Sequence, residues 1–109
     1  MAIKLPDPIE RYFAYDAARD LDGLATCFTN DATVKDEGHL YEGRDAIVGW
    51  KRGAGSKYRY TVEPFAIAAD GERTVVTSHL VGDFPGSPVD LRYAFRFDGP
   101  LIAELNIAV

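Results

Sequence analysis

The chain has 109 residues, of which 47% are apolar and 27% charged, and a formal net charge of −5. That length suits a single domain, residues 1–109, able to bury roughly two-thirds of its unfolded surface. The acidic balance and the scatter of the 12 Lys and Arg residues argue against nucleic acid or an anionic membrane as partner, because both are held by clustered cations.

The opening "MAIKLPDPIE" lacks the basic region and apolar stretch of a secretory leader, and no apolar run approaches the roughly 20 residues of a membrane span. A cytoplasmic protein is the expectation. In "PDPIERYFAYDAARD" the residues Ile9, Tyr12, Phe13 and Ala17 recur at three- and four-residue spacing, with Asp7 placed to cap the helix and Pro8 in its first turn. "DLDGLATCF" repeats the pattern through Leu21, Leu24, Ala25 and Phe28, which predicts a short second helix after a break near Asp20 to Gly23. The lone Cys27 has no disulfide or zinc partner and reads as a small buried hydrophobe. "TNDATV" and "HLYEG" predict a pair of short strands. Gly43 and Asp45 then open a third helix carrying Ala46, Ile47 and Trp50, with Gly49 weakening its middle.

From Lys57 the period changes to two. Tyr58, Tyr60 and Val62 alternate with polar residues, and after Pro64 the apolar parity shifts to Phe65 and Ile67, as a bulge would require. "ADGE" is a tight turn into "RTVVTSHLVGDF", and "PGSP" turns into "VDLRYAFRF", where Val89, Leu91, Tyr93, Phe95 and Phe97 occupy one face. A last turn at Asp98 and Gly99 leads to "LIAELNIAV". Three helices followed by long antiparallel strands is an α+β order, with the helices packed on one face of a curved sheet. Pro64, Gly82 and Pro85 are candidates for the kinks that curvature needs.

Within this frame the carboxylates of "NDATVKDEGHLYEG" raise a question of placement. If "ATVKD" is a strand, Val34 and Asp36 share a face and Thr33 and Lys35 share the other. A Val34 that points inward brings Asp36 with it. Burial disfavours a charged carboxylate, which would move Asp36 toward the range of a general base.

The run "RYFAYDAARDLDGLATCFTNDATVKDEG", continued by "EGRDAIVGW" and "LRYAFRFDG", resembles the ketosteroid isomerase and SnoaL-like polyketide cyclase branch of the nuclear transport factor 2-like superfamily over nearly the whole chain. The resemblance implies a cone-shaped α+β barrel, a curved mixed sheet wrapped around three N-terminal helices, with a deep pocket and usually a homodimer. It also implies chemistry: proton transfer at carbon next to a carbonyl, or the related aldol closure, with no metal or organic cofactor. By that resemblance Asp36 occupies the place of the proton-shuttling acid after the "ATV" strand, and Tyr12 that of the oxyanion-hole tyrosine on the first helix. Tyr93 stands where the isomerases carry a second, protonated Asp, so the donor there is changed. The implied ligand is a small apolar molecule bearing a carbonyl, and the pocket-lining candidates are His39, His79, Trp50 and Phe95.

Each candidate has a plainer structural reading. Asp36 can be a solvated hairpin acid, Tyr12 a core aromatic and Tyr93 a pocket wall. His79 has the parity of Val75, Thr77 and Val81 and faces either the pocket or a dimer partner, while His39 fits an exposed turn. Asp90 and Arg92, on one strand face, read as a surface or dimer-interface ion pair. A non-catalytic module of the same fold, binding a small molecule or a protein, is the alternative to an enzyme.

Overall fold

The structure, a computed structural model, describes residues 3–57 and 59–109. Met1, Ala2 and Tyr58 of the sequence reading lie outside the described residues. Helix α1 spans Asp7–Ala18, α2 Leu21–Ala25 and α3 Arg44–Lys57. The strands are β1 Phe28–Asp36, β2 His39–Glu42, β3 Tyr60–Asp70, β4 Arg73–Gly82, β5 Val89–Asp98 and β6 Leu101–Ala108.

The helix boundaries differ from expectation in two places. Pro6, not Asp7, is the N-cap of α1, and no side chain caps that end; Asp7 is already helical and places its acid in the first turn, where the helix dipole favours it. The break between α1 and α2 lies at Arg19, in the left-handed region at φ 57°, and Asp20 then caps α2 by accepting from the Gly23 N–H at 3.0 Å. Gly23 is therefore inside α2 and not in the break. The second helix ends at Ala25, and Phe28, expected on it, starts β1 instead. Cys27 between them is buried, its thiol pushed up chiefly by desolvation, with Arg11 acting against it.

The six strands form one mixed sheet in the order β2-β1-β6-β5-β4-β3. β3 to β6 run as an antiparallel meander, and β1 pairs with β6 in parallel and with β2 in antiparallel. This is the expected α+β arrangement of a mixed sheet with three helices; β2 and β3 are its edges, so the sheet is open and not closed on itself. The predicted irregularity at Pro64 is present as a register shift between Pro64 and Ala66. Gly82 matters for a different reason from curvature alone: a Cβ there would run into the Arg59 carbonyl and Tyr60, so the chain entering β3 can lie against the end of β4 only over a glycine.

The three helices cover one sheet face. Ile9 and Tyr12 of α1, Leu24 of α2 and Ile47 of α3 are fully or almost fully buried against Phe28, Val34, Val76, Phe95, Ile102 and Leu105. Register fixes which strand residues join them. Val76 pairs with Tyr93, Phe95 with Leu105 and Tyr93 with Ile107, so these point inward together, and the residues between them point out. On the outer face Arg73 and Arg96 both meet Glu104, whose carboxyl they hold below its ordinary value, the Arg73 hydrogen bond contributing most. Phe65 and Val81 are exposed large hydrophobics.

Candidate functional site

Asp36 is the last residue of β1, and a two-residue turn places it there. Glu37 and Gly38 both have positive φ, 52° and 79°, the backbone of a tight hairpin whose twist suits the flanking strands. Across this turn Asp36 pairs with His39, Lys35 with Leu40 and Val34 with Tyr41. Val34 is buried, and Asp36, two residues on, opens from the same face into the interior beside Ile107.

The third helix completes the setting of this acid. Its start is tied to β1 by Arg44, whose Nε and Nη2 both donate to the Phe28 carbonyl, at 3.0 and 2.7 Å. Two turns later Trp50 donates its indole Nε1–H to Asp36 Oδ2 at 3.0 Å, while its ring lies 5.8 Å from that of Tyr41. The next residue, Lys51, is also buried. Its Nζ is 3.0 Å from Asp16 Oδ1 of α1 and 4.4 Å from the Trp50 ring centroid.

Two cavities meet at these side chains. One, of about 450 Å³, is lined by Asp36, Glu37, Trp50 and Tyr93, with Leu80, Phe84 and Leu91 among its apolar walls. The other, of about 500 Å³, lies between α1, α2 and β3 and is lined by Phe13, Asp16, Arg19, Leu24 and Val62 among others. Lys51 and Tyr60 line both and form their common wall. Each volume is that of a site for a small organic molecule.

The aromatic floor of the interior is built by Tyr12, Tyr93 and Phe95. Tyr93 is stacked on Phe95 at 6.4 Å, and Tyr12 meets Phe95 edge-on at 5.6 Å and Tyr93 at 6.5 Å. The Tyr12 hydroxyl is buried and finds no hydrogen-bond partner among the described residues. Burial pushes the Tyr12 phenol well above its ordinary value, with Asp16, Tyr93, Tyr60 and Asp36 adding to the effect. The Tyr93 phenol is raised for the same reasons, desolvation first, then Asp16, Tyr60 and Asp36. Both therefore stay protonated donors wherever the protein is folded near neutrality.

Of the residues singled out in the sequence, Asp36, Trp50 and Tyr93 line one cavity together. Tyr12 and Phe95 lie deeper, fully buried behind Tyr93, and are not among the wall residues of either cavity. The two histidines are elsewhere. His39 is exposed at the outer end of the hairpin. His79 is on the outer sheet face, because Val76, Ser78 and Leu80 take the inward positions of β4, and its Nδ1 meets Asp90 Oδ1 at 2.6 Å. Asp90 thus pairs with His79 and not with Arg92, which donates to the Val109 carbonyl. Lys51 and Asp16 were missed. The signal for Lys51 was its place four residues after Ile47, on the apolar face of α3, where a cation requires a partner. Among the described residues no group of three His, Cys, Asp or Glu side chains could hold a metal, and no helix is long and apolar enough to cross a membrane.

Residues 9–104 match the family described as SnoaL-like domain. The chain belongs to the SnoaL-like family. A solved structure from Sinorhizobium meliloti, named as a candidate polyketide cyclase, is 39% identical to this SnoaL-like chain, with a TM-score of 0.91 over 95% of each chain. A protein of Catenulispora acidiphila with a ketosteroid isomerase-like fold is 20% identical, with a TM-score of 0.85 over 97% of this chain and 87% of that one. A nuclear transport factor 2-like protein of unknown function from Cytophaga hutchinsonii shares 9% identity, with a TM-score of 0.76 over 99% and 93%. The last two show the fold alone. No curated protein matches the chain.

Proposed function

We propose that this SnoaL-like protein is a cofactor-independent acid–base enzyme, of isomerase or cyclase type, acting at the carbon next to a carbonyl of a small, largely apolar molecule. The observation that carries this reading is an acid held in the wall of an aromatic cavity: Asp36, fixed through Oδ2 by the Trp50 N–H, with the raised phenol of Tyr93 in the same wall. With Oδ2 engaged, Oδ1 is the oxygen left to take the proton from carbon. As that carbon acid ionises, negative charge develops on the carbonyl oxygen, and Tyr93 donates to it from the wall. Tyr12, whose buried hydroxyl has no partner among the described residues, lies behind Tyr93 and acts on that phenol from the interior and not on the substrate directly. In sites of this kind the loss of one oxyanion donor raises the barrier by roughly 3 kcal/mol.

A second reading, a binding module without turnover, is favoured by the other cavity, which is as large and has no Asp36 in its wall. A homodimer through the outer sheet face accompanies either reading, supported by the exposed Phe65 and Val81 there. The test is a thermal-shift screen of ring ketones, steroids and polyketide fragments on the native protein and Asp36→Asn, followed by NMR of deuterium exchange next to the carbonyl of each compound that binds. Exchange by the native protein and none by Asp36→Asn supports the enzyme. Binding by both with exchange by neither supports the module.

A further inference from the structure

The Lys51–Asp16 pair is the unusual feature of the interior, and proton transfer at Asp36 makes no use of it. The two side chains are only 8% and 11% exposed, and their ion pair crosses from α3 to α1 at the wall shared by both cavities. Taking an ammonium and a carboxylate out of water is costly, and an apolar pair of similar volume often serves stability as well or better. A stability role is therefore a weak explanation for it. The geometry around Lys51 points to a ligand instead. An ammonium has three donor directions, and Asp16 takes one of them. Trp50 lies against the ammonium with its ring face while its N–H edge holds Asp36, so one indole sets both the cation and the acid.

Charge is unequal between the two cavities. The first is lined by three cations, Arg19, Lys51 and Arg52, against two acids, Asp16 and Asp20. Asp16 and Lys51 offset one another, and Asp20 also accepts from the Gly23 N–H, which leaves the lining with one net positive charge. The second carries Asp36 and Glu37 against Lys51 alone. An anionic group is thus favoured on the first-cavity side of Lys51 and disfavoured beside Asp36.

We propose that Lys51 is a ligand-anchoring cation and that the ligand is a small apolar carboxylic acid, its carboxylate on Lys51 in the first cavity and its body passing Tyr60 and Trp50 toward Asp36. This rests on the reading that the Asp36 cavity holds the ligand, and adds to it the ligand's charge and direction. Asp16 then has a positioning role: it holds the ammonium in the shared wall and competes with the incoming carboxylate.

Two probes of one shape separate charge from body: 2-naphthoate and its neutral methyl ketone, 2-acetylnaphthalene, titrated by calorimetry. The native protein is expected to bind the carboxylate about tenfold more tightly than the ketone. Lys51→Met is expected to abolish that preference, bringing the ratio of the two affinities close to one, and Asp16→Asn to keep or increase it. A purely structural Lys51 would lower stability without changing the ratio of the two affinities. Equal affinity of the native protein for both probes, no binding of either, or a preference that survives Lys51→Met overturns the proposal; the native comparison decides even where a variant does not fold. Failure here and failure of the acid–base reading are distinct. Asp36-dependent exchange next to the ketone carbonyl without a carboxylate preference sinks only the Lys51 proposal. A Lys51-dependent preference without exchange on any ketone sinks only the enzyme.

Discussion

The indole N–H of Trp50 and the carboxylate of Asp36 meet at 3.0 Å, joining the third helix to the end of the first strand. The contact fixes an acid that a hairpin alone would leave to swing into solvent. The same two elements are also tied by Arg44 on the Phe28 carbonyl and by the buried Ile47 and Val34, so this contact can be lost without taking the core with it.

Trp50→Phe keeps an aromatic ring beside Tyr41, removes the donor and also trims the buried ring that lies against Lys51, so the donor's own contribution is a lower bound on the loss. A hydrogen bond to a charged acceptor contributes about 1.5 kcal/mol or more, so a loss of at least that size in unfolding free energy is expected, read from urea denaturation. Turnover should fall with it, because Asp36 is no longer held at the cavity wall. Asp36→Asn provides the contrast: its amide oxygen still accepts from Trp50, so stability is retained while proton transfer is lost.

A second expectation concerns base. The phenols of Tyr12 and Tyr93 are both raised, by burial first and then by nearby acids and phenols. A group whose folded value lies above its unfolded one contributes stability that is complete below the unfolded value, about 10 for tyrosine, and is lost as pH rises beyond it. Of the six tyrosines, these two should therefore ionise only with unfolding, seen as a late cooperative step in tyrosinate absorbance. Tyr93→Phe should shrink that step and move the alkaline loss of stability to higher pH. A smooth titration of all six in the folded protein would contradict the burial argument.

Acid should act on the opposite face. The Glu104 carboxyl is held below its ordinary value, first by the Arg73 hydrogen bond and then by Arg96. A lowered folded value gives stability that is present above the unfolded glutamate value, about 4.3, and is lost as pH falls through the folded one. Glu104→Gln should flatten this acid limb and cost less than about 1 kcal/mol at neutral pH, because the partners are partly exposed.

Strand parity carried most of what the sequence could say. Val34 and Asp36 on one face, the shift at Pro64, and the Val89 to Phe97 face follow from the two-residue period, because a buried face tolerates no slip. β4 was harder to read. Val75 and Val76 are neighbours of equal hydrophobicity, and the inward set contains Ser78, so the apolar pattern does not choose between the faces and leaves His79 ambiguous. Lys51 on the apolar face of α3 was legible as a cation in need of a partner, but which acid it meets was not. Lys51 and Asp16 lie on different helices, and only the packing of both onto α2 and the sheet brings an ordinary surface pair of residue types into the interior. Helix ends misled because Phe28 continues the three- and four-residue spacing of α2 yet is claimed by β1, where it pairs with Ile102.

The turn that presents Asp36 contains a local conflict that can be relieved. Glu37 has φ 52°, a left-handed conformation in which the Cβ of most residues crowds the following carbonyl at a cost of roughly 1 kcal/mol. Asn and Gly accept this conformation, and Asn before Gly is the preferred pair for a two-residue hairpin with positive φ at both positions. Gly38, at φ 79°, already satisfies the second position. Glu37→Asn should therefore raise the urea midpoint with an unchanged slope, a gain of about 0.5 to 1 kcal/mol. The same substitution removes a negative charge from the wall beside Asp36 without moving the backbone that presents it. Should stability fall instead, the Glu37 side chain would be making an interaction stronger than the strain it imposes, and the hairpin would owe its register to that contact and not to the turn.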